Sequence, residues 1–213
     1  DPVKASKEEC KPFHVGFTNN IAMKIMKGDD DLTLDFANAD HVVEESYVIP
    51  RLSAVPMETR GVMASFDQSK NKITVWDSTQ CPHRVKESIS KTLSIDLKNV
   101  RVIAPDVGGG FGEKSCIYPE DVLIPLVSKM LMKPVKWTAT RQENMLGFHG
   151  RGHIVNMKAA VKSDGKLIAI QSQIIADLGA YFTTSTPVVP FLSSHRMTGP
   201  YSTPKVSVAV LGV

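Results

Sequence analysis

The chain has 213 residues, 42% of them hydrophobic, enough to bury a core in one large domain or two small ones, so disorder is not expected. Its net charge of +3 is the balance of 25 basic and 22 acidic residues scattered without blocks of one sign, which argues against a nucleic-acid or membrane-surface binder. Cys10, Cys81 and Cys116 stand far apart, so neither a disulfide framework nor a zinc or iron–sulfur site is indicated, and a cytoplasmic setting is expected.

The first forty residues carry Gly28, an acidic run Asp29-Asp30-Asp31 and a pattern Leu32, Leu34, Phe36 that fits a turn or two of helix, and residues 1–40 read as a linker. An extended stretch is expected over Val42 to Val48. Gly61 to Phe66, the turn-rich Asp67 to Asn71 and Lys72 to Asp77 together read as a hairpin. Val85, Ile89, Leu93 and Leu97 recur at four-residue steps and predict an amphipathic helix over Arg84 to Leu97, followed by a buried strand over Val100 to Ala104.

After the loop Pro105 to Lys114, Pro119-Glu120-Asp121 opens a second helix running to about Met132, with proline and acids in its first turn. Strands are predicted over Val135 to Ala139, Ile154 to Val161 and Leu167 to Ala176, the last two joined by a turn at Ser163 to Lys166. The chain starts at Asp1 rather than Met and stops inside a strand-like run, Val206 to Val213, so a piece of something longer is expected. No apolar run approaches ~18 residues, and the first ten residues are too polar for a signal peptide, so no membrane partner is expected. The alternation of strands and helices argues for an α+β or α/β domain with its working loops at element ends.

The loop Gly108-Gly109-Gly110-Phe111-Gly112-Glu113-Lys114, between a strand and a helix, demands backbone conformations closed to most residues or close approach to another group. A phosphate-binding P-loop needs glycine directly before the lysine, where Glu113 stands. The dinucleotide fingerprint fails at the same residue. About thirty residues earlier, Thr79-Gln80-Cys81-Pro82-His83 leaves a strand, and a glutamine amide beside an amide-lined loop can donate to a bound oxyanion or metal oxygen ligand.

Six ordered segments carry a family resemblance. They are Pro56-Met57-Glu58-Thr59-Arg60-Gly61, Trp76 to Arg84, Asp106 to Gly112, Val135-Lys136-Trp137 leading to Arg141-x-Glu143-Asn144, Ala176-Asp177-x-Gly179-Ala180-Tyr181, and Gly199-Pro200-Tyr201. Together they resemble the large subunit of the molybdenum hydroxylases, the xanthine dehydrogenase, aldehyde oxidase and carbon monoxide dehydrogenase family. The resemblance implies an α+β fold of mixed sheets with packed helices, with residues 41–213 forming the first molybdopterin-binding domain, incomplete at its C-terminal end, and residues 1–40 following a missing N-terminal domain. It implies an oxidoreductase that hydroxylates aldehydes or related small carbon substrates with water-derived oxygen. Molybdenum-molybdopterin, in its plain or cytosine dinucleotide form, is the implied cofactor.

By the same resemblance, Gln80 donates its amide hydrogen to an oxo ligand of the molybdenum, and Gly109, Gly110, Phe111 and Gly112 present backbone amides to the cofactor, with Phe111 beside the substrate path. No residue of the chain is expected to ligate the metal. The family's catalytic glutamate lies outside this sequence, so the chain alone is expected to be inactive. Iron–sulfur clusters and FAD are expected from partner subunits or further domains, alongside the remainder of the large subunit; a homo-oligomer is compatible with the resemblance. Purine-oxidising members carry an acid after the loop lysine, where Ser115 stands here, which turns the expectation toward aldehydes and other small substrates.

Other candidates read as structural. His149 and His153 are four apart but in a glycine-interrupted stretch unlike a zinc-binding helix. Cys81 reads as a small buried hydrophobe, Glu113 as a solvated loop acid, Arg141 and Glu143 as a structural pair, and Asp177 as a turn brace. Two rival readings stay open on the residues: a binding or scaffold module that kept the fold without the cofactor, and a nucleotide-dependent enzyme.

Overall fold

The computed structural model describes residues 1–213 apart from Glu8 and Thr184. In chain order the elements are α1 (Pro2–Ala5), β1 (Met23–Gly28), α2 (Thr33–Ala37), β2 (His41–Ser53), β3 (Gly61–Asp67), β4 (Lys72–Asp77), α3 (Pro82–Leu93), β5 (Val100–Ile103), α4 (Pro119–Leu131), β6 (Val135–Thr138), α5 (Arg141–Met145), β7 (His149–Val161), β8 (Leu167–Ala176), α6 (Val188–His195) and β9 (Lys205–Gly212). They form two units, one of residues 1–52 with 151–213 and the other of residues 53–150. The fold class is α+β with mixed sheets, as predicted.

The unit of residues 53–150 is built on a four-stranded sheet ordered β5-β4-β3-β6. β3 and β4 are the predicted hairpin, paired from Val62↔Asp77 to Asp67↔Lys72. The Asp67 carboxylate holds the turn by accepting from Ser69 Oγ at 2.7 Å and the Lys70 amide at 3.3 Å, and Asn71 takes the left-handed conformation (φ 48°) that asparagine tolerates better than most residues. Period-two alternation puts Val62, Ala64, Ile73 and Val75 on one face. That face packs against Val85 and Ile89 of α3 and Ile124 of α4. Burying each of these larger aliphatic side chains contributes roughly 1.5–3 kcal/mol. The same alternation carries Asp77 onto the core side, where an acid needs charged or hydrogen-bonding company.

The helix predicted over Arg84 to Leu97 is α3, which starts at Pro82 and stops at Leu93. Proline at its first turn costs no hydrogen bond, and Ser94 ends it in the left-handed region (φ 52°). Leu97 keeps the four-residue spacing by coincidence: it opens a separate 3-10 turn, Leu97–Asn99, capped by Asp96. Strand β5 ends one residue earlier than predicted, and α4 ends at Leu131 because Met132 is left-handed (φ 53°).

The unit of residues 1–52 and 151–213 holds a five-stranded sheet ordered β1-β9-β8-β7-β2, in which β8 and β9 run parallel. Its core joins Val155, Ile174, Ala176, Leu178, Val208 and Val210. The stretch read as a linker is structured: β1 pairs with β9 from Met23↔Gly212 to Gly28↔Ser207. Only Met23 and Ile25 of β1 face this core, too short an alternation to signal a strand, and the backbone ladder to β9 makes it one. β2 joins the sheet of β7, β8 and β9. At α2, the N-cap Leu32 and Phe36 pack on Ala160 and Ala169 whereas Leu34 is exposed, because positions four apart share a helix face and positions two apart do not.

Candidate functional site

β4 and β5 are parallel neighbours, paired from Ile73↔Val100 to Trp76↔Ile103. Their carboxyl ends therefore lie side by side, and the segments leaving them, Ser78 to Cys81 and Ala104 to Ser115, meet above the sheet edge. Loops at the carboxyl ends of parallel strands are where ligands of such sheets commonly bind. The predicted residues Gln80, Gly109, Gly110, Phe111 and Gly112 thus share one wall.

Contacts hold this wall in detail. The Gln80 amide N–H donates to the Lys114 carbonyl at 2.9 Å, and its side-chain oxygen accepts from the Gly112 N–H at 3.0 Å. That second bond decides the amide orientation. With the oxygen turned to Gly112, the NH₂ end of Gln80, at an exposed position, makes no hydrogen bond to any described residue. A Cβ on Gly110 would stand 2.6 Å from Gln80 Cδ and 2.8 Å from Cγ, so only glycine admits Gln80 in this pose.

The loop amides divide their work. Gly108 N–H donates to Glu58 Oε2 at 2.8 Å, Gly109 N–H to the Val107 carbonyl at 2.9 Å and Glu113 N–H to the Gly110 carbonyl at 2.9 Å. Among the described residues, the N–H groups of Gly110 and Phe111 have no acceptor. Gly110 is a buried residue, and an unpaired backbone donor there costs free energy unless a ligand or water accepts from it. Phe111 adopts φ 51°, a strained conformation for a side chain with a Cβ, and its ring is 77% exposed beside Gly109.

Beneath the loop lies a polar layer. Lys114, whose side chain is 0% exposed, reaches Glu58 Oε2 and Ser78 Oγ, each at 2.8 Å, and Ser78 Oγ donates to Glu58 Oε2 at 2.6 Å. Partial burial pushes the Glu58 carboxyl up, but the hydrogen bonds from Lys114, Ser78 and the Gly108 amide outweigh it and hold the group below its usual value. Glu113, only 1% exposed, accepts from Asn144 Nδ2 at 2.6 Å, and Asn144 Oδ1 accepts the Arg60 amide at 2.7 Å. Burial raises the Glu113 carboxyl against the opposing pull of Arg60 and Lys114.

Farther in, burial and the neighbouring Asp121 raise Asp77, with Lys114 opposing, and one Asp77 oxygen has no partner. The Tyr118 hydroxyl is pushed up to about 12, chiefly by burial, and donates to the Glu113 carbonyl at 3.0 Å beneath the Arg60 guanidinium, 3.8 Å from the ring centre.

Several readings change. Glu113 is no solvated loop acid: the 3-10 turn Glu113–Ser115 swings its side chain into the core, where Asn144 receives it. Arg141 and Glu143 make no ion pair with each other; Glu143 closes a capping box with Thr140, and Arg141 donates to the Met57 carbonyl at 2.8 Å. Cys81 is half-buried at the N-cap of α3 rather than fully buried.

Asp177 braces its turn as expected, accepting from the Gly179 amide at 3.0 Å, and it also pairs with Arg51 at 3.4 Å. His149 and His153 lie in strand β7, and among the described residues no group of three or more histidine, cysteine or acidic side chains is arranged for a metal. The other unit holds a cavity of about 820 Å³ lined by residues such as Phe13, Phe17, Leu178 and Tyr181, none of them a predicted site residue. Sequence reasoning missed Glu58, Ser78, Lys114 and Asn144 as parts of the site.

The wall thus carries an amide NH₂ and two backbone N–H groups without a partner among the described residues. Residues 13–213 match the molybdopterin cofactor-binding domain family, and the chain belongs to it. It is 39% identical over 164 residues to the nicotine 6-hydroxylase large subunit of Paenarthrobacter nicotinovorans, covering 76% of this chain and 20% of that one. It is 36% identical over 180 residues to the carbon monoxide dehydrogenase large chain of Hydrogenophaga pseudoflava, covering 84% and 22%.

Quinoline 2-oxidoreductase of Pseudomonas putida 86 superposes with a TM-score of 0.89 at 32% identity, covering 99% of this chain and 27% of that one. The chain therefore spans about a fifth to a quarter of the length of these relatives. The predicted resemblance holds, and the relatives are subunits of oxidoreductases. Among the described residues no helix is long and apolar enough to cross a membrane.

Proposed function

We propose that this chain is part of the molybdenum-cofactor-binding catalytic subunit of an oxidoreductase that hydroxylates aldehydes or related small carbon substrates, and that Gln80 with Gly109–Gly112 is its cofactor-facing wall. The observation that carries the proposal is the Gln80 amide, whose oxygen is engaged by the Gly112 N–H so that its two N–H donors are left without a partner among the described residues. The donor set suits the group: a neutral amide and the Gly110 and Phe111 N–H groups offer hydrogen bonds to oxygen without adding charge, and the close Gly110–Gln80 approach leaves no room for a side chain between them. When bound, the cofactor supplies the redox centre at which the substrate carbon is oxidised. The residues of this chain orient it, and Phe111, exposed at the loop tip, borders the substrate path.

The catalytic base, the iron–sulfur and flavin centres that carry electrons away, and the rest of the cofactor pocket belong to the remainder of the large subunit and its partner subunits. The cofactor is the plain or the cytosine dinucleotide form of molybdopterin, and the setting is the cytoplasm. Ser115 in place of an acid turns its hydroxyl into the loop, donating to the Gly112 carbonyl, and offers no carboxylate for a purine. Metal and pterin analysis of the complete complex tests the reading, with a substrate panel of aldehydes, purines and N-heteroaromatics. Stoichiometric molybdenum and aldehyde turnover are expected. A complex that folds and assembles with neither molybdenum nor pterin would leave a scaffold that kept the fold without the cofactor.

A further inference from the structure

The polar layer under the glycine loop forms a closed circuit. At the start of the loop, Glu58 and Gly108 bond reciprocally: the Glu58 amide donates to the Gly108 carbonyl at 3.1 Å, and the Gly108 amide donates to Glu58 Oε2 at 2.8 Å. The end of the loop is Lys114 itself. Its ammonium returns to the same Glu58 oxygen at 2.8 Å, and its carbonyl accepts both the Gln80 amide at 2.9 Å and the Thr79 hydroxyl at 3.2 Å. Gln80 then closes the ring through Gly112. One ion pair thereby joins both ends of the loop to the strand end that carries Gln80.

We propose that Lys114 and Glu58 are the positioning residues of the cofactor wall, a charge-assisted clamp that sets the spacing between the Gln80 amide and the free Gly110 and Phe111 N–H groups. The proposal rests on the reading of this wall as cofactor-facing. Loops containing several glycines lose much conformational entropy when ordered, so a row of aimed amides needs an external tie. A charge-assisted bond made by a fully buried ammonium supplies it, being shorter and stronger than a neutral one. The burial is asymmetric. Lys114 is sealed beneath the loop, whereas the Glu58 side chain is 41% exposed, so the acid can be altered with little effect on core packing.

Hydrogen–deuterium exchange on the complete enzyme complex, with molybdenum content measured after extended gel filtration, tests this for Glu58→Gln, Lys114→Met and Lys114→Arg. Lys98→Met, at an exposed ion pair elsewhere in the unit, is the control. Losing a charge-assisted bond should speed exchange of the loop amides from Gly108 to Glu113 by about ten- to a hundredfold in Glu58→Gln and Lys114→Met. Amides of α3 should stay as in the unaltered enzyme. Molybdenum retention and kcat should fall with KM little changed, and Lys114→Arg should recover part of both.

Loop exchange within about twofold of the unaltered enzyme in Glu58→Gln would overturn the clamp, as would acceleration spread evenly over α3 and the sheet. Lys114→Met alone failing to fold leaves Glu58→Gln to decide. If the unaltered complex carries no molybdenum, the cofactor reading fails, while the exchange comparison still settles whether the ion pair holds the loop.

Discussion

Replacing Gln80 by alanine separates a cofactor-facing amide from a strand-end hydrogen bond. Within the protein, the side chain makes one bond, from the Gly112 N–H at 3.0 Å, at an exposed position where water can take over the donor. Losing a neutral bond of this kind costs about 0.5–1.5 kcal/mol at most, and the backbone bond to the Lys114 carbonyl survives the substitution. Fold stability should therefore change by no more than about 1 kcal/mol. If the unpartnered NH₂ group is aimed at a ligand whose charge redistributes during the reaction, its loss should lower turnover by about tenfold to a thousandfold.

Gln80→Glu sharpens the test. One carboxylate oxygen can still accept from Gly112 while the other offers an acceptor and a negative charge where a donor stood, so its turnover should fall at least as far as that of alanine. The assay is dye-linked substrate oxidation by the complete complex, normalised to molybdenum content, with thermal unfolding measured in parallel. Near-normal turnover of Gln80→Ala at full metal occupancy would refute the assignment of this wall.

Gly110→Ala should displace the Gln80 side chain, which can swing away at small cost in stability; turnover per molybdenum should approach that of Gln80→Ala while the unfolding midpoint stays within a few degrees, about what 1 kcal/mol produces, and full activity would contradict the geometry. Asp77 is raised from 3.8 to about 8 by burial and by Asp121, so its contribution to stability is complete below about pH 4 and lost as pH rises through about 8. Asp77→Asn should flatten that decline, and parallel unfolding midpoints for both proteins across pH 4 to 8 would refute the assignment. The 213-residue chain purified by itself is expected to bind no molybdenum and oxidise no aldehyde, because the proposed cofactor pocket needs the remainder of the subunit; stoichiometric metal in it would refute that division of labour.

Periodic signals in the sequence located most elements of the fold. The β3–β4 hairpin carried both alternation and turn residues, α3 carried apolar residues at four-residue steps, and α4 carried proline and acids in its first turn, so each announced itself locally. Strand β1 did not, since its place depends on a ladder to β9, about 180 residues away in the chain, and not on its own side chains. The same distinction runs through the site. Gln80 and the glycines drew attention because an amide after a strand and a glycine string before a helix are unusual in themselves, while the cofactor role proposed for them came from the family resemblance.

Glu113 and Lys114 were misjudged or passed over because nothing local says that a charged pair at the end of a loop turns inward. Burial is decided by partners that sit 31 residues away at Asn144 and 56 residues away at Glu58.

That inward turn bears on what the site is for. Buried ion pairs are poor stabilisers, since desolvating both charges consumes most of their attraction and apolar residues of similar volume usually do as well. Here a fully buried lysine, a buried glutamate with one unpartnered oxygen and a buried aspartate with another lie below a single loop. Stability alone would favour replacing them by the aliphatic residues that fill the rest of this core. Such residues would pack the space beneath the loop, but they would remove the ammonium that ties the end of the loop to Glu58, the acceptor of the Gly108 amide, and the side chain at that end would be held by contact alone. Contact is non-directional, whereas hydrogen bonds fix angles as well as distances. The proposed wall, which would aim the Gln80 amide and the Gly110 and Phe111 N–H groups at one ligand, needs the directional kind, and the charged layer supplies it where a glycine-rich backbone cannot supply it for itself.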